Sequence, residues 1–266
     1  MTTTTSEPGW TTVHGVRLEI VERGQGRPVL WLHGEEGLDP RAAFLDRLAA
    51  RARVLAPSHP GFGHSPEADF VDTVDDLAYL YLDLLAERDV HEVVVVGASL
   101  GGWIAAEMAV KSTARLAGLV LVGALGIKVG DRETRDIPDI FALPPDEVAR
   151  LQYRDPARMA VHYTKLSDDE LGVIARNREA TAQYVCEPYF HNPKLPRRLH
   201  RVDVPTLLLW GADDQFVSAG YYGAAYQRAI PGSRLETIPM AGHFPHLEQP
   251  EALVERVARF VAERKA

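Results

Sequence analysis

Three kinds of residue suited to acyl transfer stand far apart in this 266-residue sequence. The first is Ser99, in Gly97-Ala98-Ser99-Leu100-Gly101, a G-x-S-x-G pattern directly after four valines. A serine hydroxyl is a weak nucleophile until a neighbouring base takes its proton. Of ten histidines, His243 in "PMAGHFPHLEQPE" comes late, in a tight loop behind a strand-like run, and is the candidate base. His246, three residues further on, suits a structural role at the start of the next segment. An imidazole base needs a carboxylate to hold its tautomer and stabilise its cation. "LLLWGADDQFV" offers Asp213 and Asp214. Adjacent loop residues point in different directions, so one of the two serves. Asp214, three residues past Gly211, is preferred, which leaves Asp213 as a solvated loop acid or turn cap.

These residues need elements to hold them. "EVVVVG" reads as a short, fully buried strand and residues 100–111 as a helix, so Ser99 lies on a sharp strand–helix turn that lifts its hydroxyl over the sheet edge at a helix N-terminus. "WTTVHGVRLEIVERG" reads as two strands around a tight turn at His14-Gly15. "RPVLWLHG", residues 53–56, "LAGLVLVGA", "VPTLLLWG" and "SRLETIP" read as further strands. Between them lie helical patterns at "RAAFLDRLAAR", at "TVDDLAYLYLDLLAER" with Thr73 as N-cap, and over about 219–230 and 250–264. Short apolar strands alternating with helices predict an α/β fold, a parallel sheet covered on both faces. From about residue 126 to 199 no comparable strand occurs, and prolines, charged helical stretches and aromatics take over, which predicts a helical insertion. Such an insertion rises over the carboxyl ends of the strands, where an open α/β sheet carries its site. Its Phe141, Tyr163 and Tyr189, with Trp103 one turn past the serine, are the candidates to line an apolar pocket.

A hydrophobic content of 46 % and a charged content of 25 % belong to an ordinary globular chain. A net charge of −8 argues against a nucleic-acid or anionic-membrane partner. The single cysteine, Cys186, forms no internal disulfide, and the first ten residues lack the basic-then-apolar order of a signal peptide. No run approaches the roughly 18 apolar residues that a membrane helix requires. A cytoplasmic protein with a short frayed N-terminal tail is expected. Its histidines are scattered, with no H-E-x-x-H or C-x-x-C spacing, and "PGFGHSP" lacks G-x-G-x-x-G order, so no metal and no nucleotide cofactor are expected.

From "VLWLHGEEG" through "GASLGGW" and "LLLWGADDQFV" to "AGHFPHLEQPE", the chain closely resembles the α/β-hydrolase superfamily. It looks most like capped, cofactor-independent serine esterases and the related C–C bond hydrolases of aromatic ring-cleavage pathways. The resemblance implies a mostly parallel eight-stranded sheet with helices on both faces. It implies a core of residues 1–124 and 204–266 and a helical cap of residues 125–203, with "HNPKLPRRLHRV" as the return to the core. It maps the acid role to Asp214 and the oxyanion hole to the backbone N–H groups of Glu35 and Leu100. Relatives that use an aspartate nucleophile, the haloalkane dehalogenases and epoxide hydrolases, are set aside, since serine stands at that position. One departure stands out: many relatives carry small residues after "HG", and this chain carries Glu35 and Glu36. Either both face solvent or a carboxylate at the pocket rim repels anionic substrates or binds a polar group.

The expected function is a serine hydrolase that cleaves a small neutral ester through an acyl-enzyme. A C–C hydrolase of a vinylogous β-diketone is the alternative, with Arg176 and Arg178 as the cap cations its anionic substrate calls for. A non-turnover ligand receptor on the same fold is a third reading, to which nothing in the sequence lends support. The expected partner is a small molecule, with neither nucleic acid nor membrane; a homodimer stays open.

Overall fold

A computed structural model describes residues 8–264, so the expected N-terminal tail over residues 1–7 lies outside the described residues. The chain runs β1 Gly9–Val13, β2 Val16–Arg23, β3 Pro28–Leu32, α1 Ala43–Ala49, β4 Arg53–Pro57, α2 Val74–Glu87, β5 Val93–Ala98, α3 Leu100–Lys111 and β6 Leu116–Val122. After the insertion it resumes with β7 Thr206–Gly211; the insertion itself carries α4 Pro145–Gln152 and α5 Asp168–Val185. Then come α6 Ala224–Ala229, β8 Arg234–Ile238, α7 Pro245–Glu248 and α8 Pro250–Ala262. The strands form one eight-stranded sheet in the order β1-β2-β4-β3-β5-β6-β7-β8. Pairs β1–β2 and β2–β4 are antiparallel and the rest are parallel, the mostly parallel α/β sheet that the resemblance implies.

The period of two explains why the central strands are apolar throughout. In β5, Val93 and Val95 enter the core beneath α2 and α3, while Val94, Val96 and Ala98 enter the core beneath α1 and α8. Strand β6 divides likewise, with Leu119 and Leu121 on the first face and Val120 and Val122 on the second. Each fully buried Val or Leu contributes about 1.5–3 kcal/mol relative to an exposed one. Helix α2 buries Val74, Leu77, Ala78, Tyr81, Leu84 and Leu85, a stripe at helical spacing, and Thr73 with Asp76 closes a reciprocal capping box at its start. The turn between β1 and β2 takes positive φ at both His14 and Gly15, as a two-residue hairpin of this hand requires.

Two elements differ from the sequence reading. The helix expected over 219–230 is a single wide π turn, Ala219–Gly223, leading into the short α6. The strand expected over 53–56 extends to Pro57.

Residues 125–203 contribute no strand to the sheet among the described residues. Their entry and exit are stitched together: Gly126 N–H donates to Phe190 O and Asn192 N–H to Gly126 O. Helix α5 starts on a capping box of Ser167 and Glu170 and is fastened to the loops behind β3 and β4. Asn177 accepts from Gly63 N–H at 2.8 Å and donates to Glu36 O at 3.0 Å, Thr181 donates to Glu35 O at 3.3 Å, and Tyr184 donates to Val71 O at 3.0 Å. Among the described residues no helix is long and apolar enough to cross a membrane.

Candidate active site

Ser99 sits at φ 50°, ψ −114°, a region a residue with a Cβ adopts only under strain of about 1–3 kcal/mol. The flanking glycines make the turn possible. A Cβ on Gly97 would lie 2.1 Å from Gly101 O, and one on Gly101 would lie 2.1 Å from Leu32 O. Helix α3 therefore packs its first turn directly on the ends of β5 and β3. The serine carbonyl accepts from the amides of Gly102, Trp103 and Leu125, which fixes the corner.

The three residues singled out in the sequence meet here. Ser99 Oγ is 2.8 Å from His243 Nε2, and His243 Nδ1 is 2.9 Å from Asp214 Oδ2. The other Asp214 oxygen accepts from the amides of Phe216 and Val217, each at 2.9 Å. All three side chains are buried. The loop that carries His243 is tied to α4, since His243 N–H donates to Gln152 O at 2.6 Å. Burial alone lowers the His243 pKa, but the Asp214 carboxylate, with further help from Glu35 and Glu36, reverses this and holds it above the usual imidazole value. Asp213 is apart from the site, half-exposed and paired with Arg154 at 2.9 Å. His246 is buried between Trp31, Phe44 and Phe244 and bonds Glu36 at 3.1 Å, a structural position.

The two glutamates after "HG" lie deeper than a pocket rim. Glu35 has a side chain only 8 % exposed; its Oε2 accepts from Ser99 Oγ at 2.5 Å, and its Oε1 accepts from Gln152 Nε2 at 3.0 Å. Burial raises the Glu35 pKa, with Glu36 adding to the rise, and the opposing pull of His243 and the Ser99 hydrogen bond does not cancel it. Glu36 goes the other way. Burial raises it, but the hydrogen bond and charge of His246, then His33, bring it below the usual carboxylate value. The backbone N–H of Glu35 is taken by its own carboxyl group, and that of Leu100, the first residue of α3, has no acceptor among the loop and turn bonds of the described residues.

A cavity of about 290 Å³ opens beside Glu35 and runs beneath the insertion. Ile140, Phe141, Val148, Val161, Ile174 and Phe244 give it an apolar wall; Glu35, Glu36, Gln152 and Thr181 give it polar points. Of the four expected pocket aromatics, only Phe141 lines it. Trp103 turns into the core against Gly126 and donates to Glu107 at 3.4 Å, because one helical turn past Ser99 the α3 surface faces the start of the insertion. Tyr163 is 54 % exposed on a short 3-10 turn. Tyr189 is held behind Phe141 by bonds to Ile140 N and Pro138 O, so it supports the wall without forming it. Arg176 points away, onto Gly63 O, whereas Arg178 lines the cavity.

The sequence reading missed a supporting pair. His33 and His59 stack with ring centroids 3.7 Å apart, and both are buried. His33 Nδ1 donates to Gly34 O and its Nε2 accepts from His59 N–H; His59 Nε2 donates to His33 O and its Nδ1 accepts from Tyr81 OH. Burial keeps both rings neutral, with His33 brought down to about 4, and the pair locks the loop that carries the Glu35 amide. Its signal in the sequence is "HG" followed by "SHPG", two histidines at the ends of neighbouring parallel strands. Gln152 was also missed, and nothing in the sequence marks it. No cluster of three or more His, Cys, Asp or Glu fit to hold a metal occurs among the described residues.

The model of the alpha/beta hydrolase family matches residues 13–256. The chain belongs to the alpha/beta hydrolase family. It is a hydrolase-type enzyme. It is 28 % identical to 2-hydroxy-6-oxo-6-(2'-aminophenyl)hexa-2,4-dienoic acid hydrolase of Metapseudomonas resinovorans, over 94 % of this chain and 89 % of that one. It is 29 % identical to a non-heme chloroperoxidase of Kitasatospora aureofaciens, over 89 % of this chain and 92 % of that one. A thermophilic esterase from Thermogutta terrifontis shares the fold, with a TM-score of 0.71 at 24 % identity over 98 % of this chain and 100 % of that one.

Proposed function

We propose that this chain is a serine hydrolase that cleaves small, neutral, largely apolar esters through an acyl-enzyme. The observation that carries the reading is the continuous chain from Asp214 through His243 to Ser99, beside an apolar cavity of about 290 Å³. Ser99 attacks the acyl carbonyl as His243 Nε2 takes its proton. Asp214 keeps the proton on Nδ1 and stabilises the imidazolium. The Glu35 and Leu100 amides hold the developing oxyanion; one such donor is worth about 3–4 kcal/mol in known cases. His243 then protonates the leaving alcohol, and a water activated by the same ring clears the acyl group. Residues 125–203 act as a cap on a core of residues 1–124 and 204–266, and the cap supplies the acyl pocket. The carboxyl of Glu35 beside Ser99 disfavours a substrate with an anion next to the scissile bond. The substrate is thus a small molecule, met in the cytoplasm and without metal or cofactor.

The test is a panel of p-nitrophenyl esters of increasing acyl length, read with intact mass spectrometry. The acyl adduct, and labelling by a fluorophosphonate, should fall on Ser99 and vanish in Ser99→Ala; labelling that persists in the alanine variant refutes the assignment.

A second reading has one observation in its favour. Arg178 lines the cavity and has no ion pair or hydrogen bond to any described residue, which suits the carboxylate of a ring-cleavage product. The Metapseudomonas relative points the same way. Loss of the colour of a vinylogous β-diketone on mixing, with no turnover of simple esters, would select this reading.

A further inference from the structure

We propose that Glu35 is a built-in occupant of this site. Its carboxyl group stands between the cavity and Ser99 and shares one proton with His243 across the serine hydroxyl. It must turn aside before a substrate carbonyl reaches the serine. The proposal rests on the serine-hydrolase reading for its consequence, and on geometry alone for the contact.

Three observations place the carboxyl there. Ser99 is fully buried and does not line the cavity, whereas Glu35 does. Glu35 Oε2 is 2.5 Å from Ser99 Oγ. Gln152, from the end of α4, holds the other oxygen at 3.0 Å, so the group is pinned in place. The oxygen lies where an acyl oxygen would have to approach Ser99 and the Glu35 amide.

Counting protons gives the second half. Ser99 Oγ makes two short contacts, to His243 Nε2 at 2.8 Å and to Glu35 Oε2 at 2.5 Å. Each contact needs one proton, and the hydroxyl supplies one. The second sits on Glu35 or on His243. The raised values of both groups agree with this. With the proton on Glu35, the carboxyl donates to Oγ and draws electron density from the nucleophile. With the proton on His243, the base is spent. In neither form is Ser99 ready to attack. Readiness needs loss of that proton or removal of the carboxyl.

The groups around Glu35 bear on this balance. His243 faces it from the loop after β8, with Asp214 on the far ring nitrogen of His243, and Glu36 faces it from its own loop, with His33 and His246 behind Glu36. Tyr153 at the end of α4 and Tyr189 in the insertion are un-ionised at neutral pH, and Arg178 stands on the cavity wall. The negative groups Glu36 and Asp214 favour keeping the shared proton. A carboxylate within about 4–6 Å raises an imidazole by about 1–3 units, so taking Glu35 away should move His243 titration to lower pH.

The experiment compares the full-length protein with Glu35→Ala and Glu35→Gln. It reads the second-order rate of fluorophosphonate labelling of Ser99 against pH, and the ring-proton titration of His243 by NMR. Glu35→Ala opens the site, so labelling at neutral pH should quicken by about tenfold or more, as for a competent state populated at 10 % or less. Glu35→Gln keeps an occupant of the same shape but holds no titrating proton, so labelling stays slow while the His243 midpoint still falls by about one unit or more. Labelling in Glu35→Ala that is no faster than in the parent, or a His243 midpoint unmoved in both variants, overturns the proposal. Failure of the parent to label at Ser99 counts against the serine-hydrolase reading alone, because the NMR titration still reads the shared proton.

Discussion

Replacing Asp214 by Asn isolates what the carboxylate does in the proposed chemistry. Its Oδ1 accepts from the Phe216 and Val217 amides, and its Oδ2 faces His243 Nδ1 at 2.9 Å. An asparagine keeps its oxygen on those two amides, because both donate, and so turns its NH₂ to the histidine. The ring must then present a bare Nδ1, and its single proton moves to Nε2. Nε2 is the atom 2.8 Å from Ser99 Oγ; once protonated it donates and no longer accepts, and the base is gone. In a well-studied serine protease the same exchange costs about 10⁴-fold in kcat, or about 5.5 kcal/mol of barrier. A comparable loss is expected here, with little change in KM, because the cavity wall is untouched. Asp213→Asn is the control. Asp213 is 37 % exposed and pairs with Arg154 on the surface. Such a pair contributes about 1 kcal/mol at most, so even if all of it entered the barrier the loss would stay near fivefold. The assay is kcat/KM on a p-nitrophenyl ester for both variants, with thermal unfolding to show that each is folded. Equal losses, or a larger one at Asp213, would refute the assignment of the acid.

Two further outcomes follow from the cavity and from the packing behind His243. On p-nitrophenyl esters kcat/KM should climb about fourfold per added acyl CH₂, from about 0.8 kcal/mol each, and fall once the space of about 290 Å³ is filled. A flat series, or a maximum on long-chain emulsified lipids, would rule out the apolar acyl pocket. An added Cβ at Gly211 would lie 1.8 Å from Gly242 O, so Gly211→Ala must push the backbone that leads into His243. A destabilisation of about 1–3 kcal/mol in urea and a loss in kcat larger than any rise in KM are expected; an unchanged kcat would show that the loop has another way to hold the ring.

The sheet was legible because its central strands are buried on both faces. β5, β6 and β7 read as unbroken apolar runs for that reason, and Thr73 marked the start of α2 by its capping chemistry. Helix α3 was legible only through what precedes it. Its surface is buried on nearly every side, so it shows no polar stripe. The wide turn at Ala219–Gly223 was not legible, since no residue type in it marks a π turn apart from an α turn; Tyr222 within it donates to Ile127 O. The pocket was misjudged for a related reason. Aromatics of the insertion, with Trp103, were expected to line it, but Trp103 and Tyr189 are held by bonds inside the protein, and the aliphatic residues Ile140, Val148, Val161 and Ile174 share the apolar wall with Phe141, Tyr153 and Phe244.

The site divides along the same line. Ser99, His243 and Asp214 were legible because acyl transfer demands those residue types and the strand ends must carry them. Glu35 entered the sequence reading through its backbone, as the amide after "HG", and a backbone donor says nothing about the side chain attached to it. The depth of that side chain is set by α4 and α5. Gln152 lies 117 residues from Glu35 and Thr181 lies 146 residues from it, and only the folded insertion brings both onto the glutamate. Gln152 thus holds one oxygen of a carboxyl group whose other oxygen lies against the serine. The same contact that buries it joins its proton to that of the base. Helix α4 thus touches both partners at once, Glu35 through the Gln152 side chain and His243 through the Gln152 carbonyl. A movement of α4 large enough to admit a bulky acyl group would release both together, so the fit of the insertion and the protonation of the base are physically one variable.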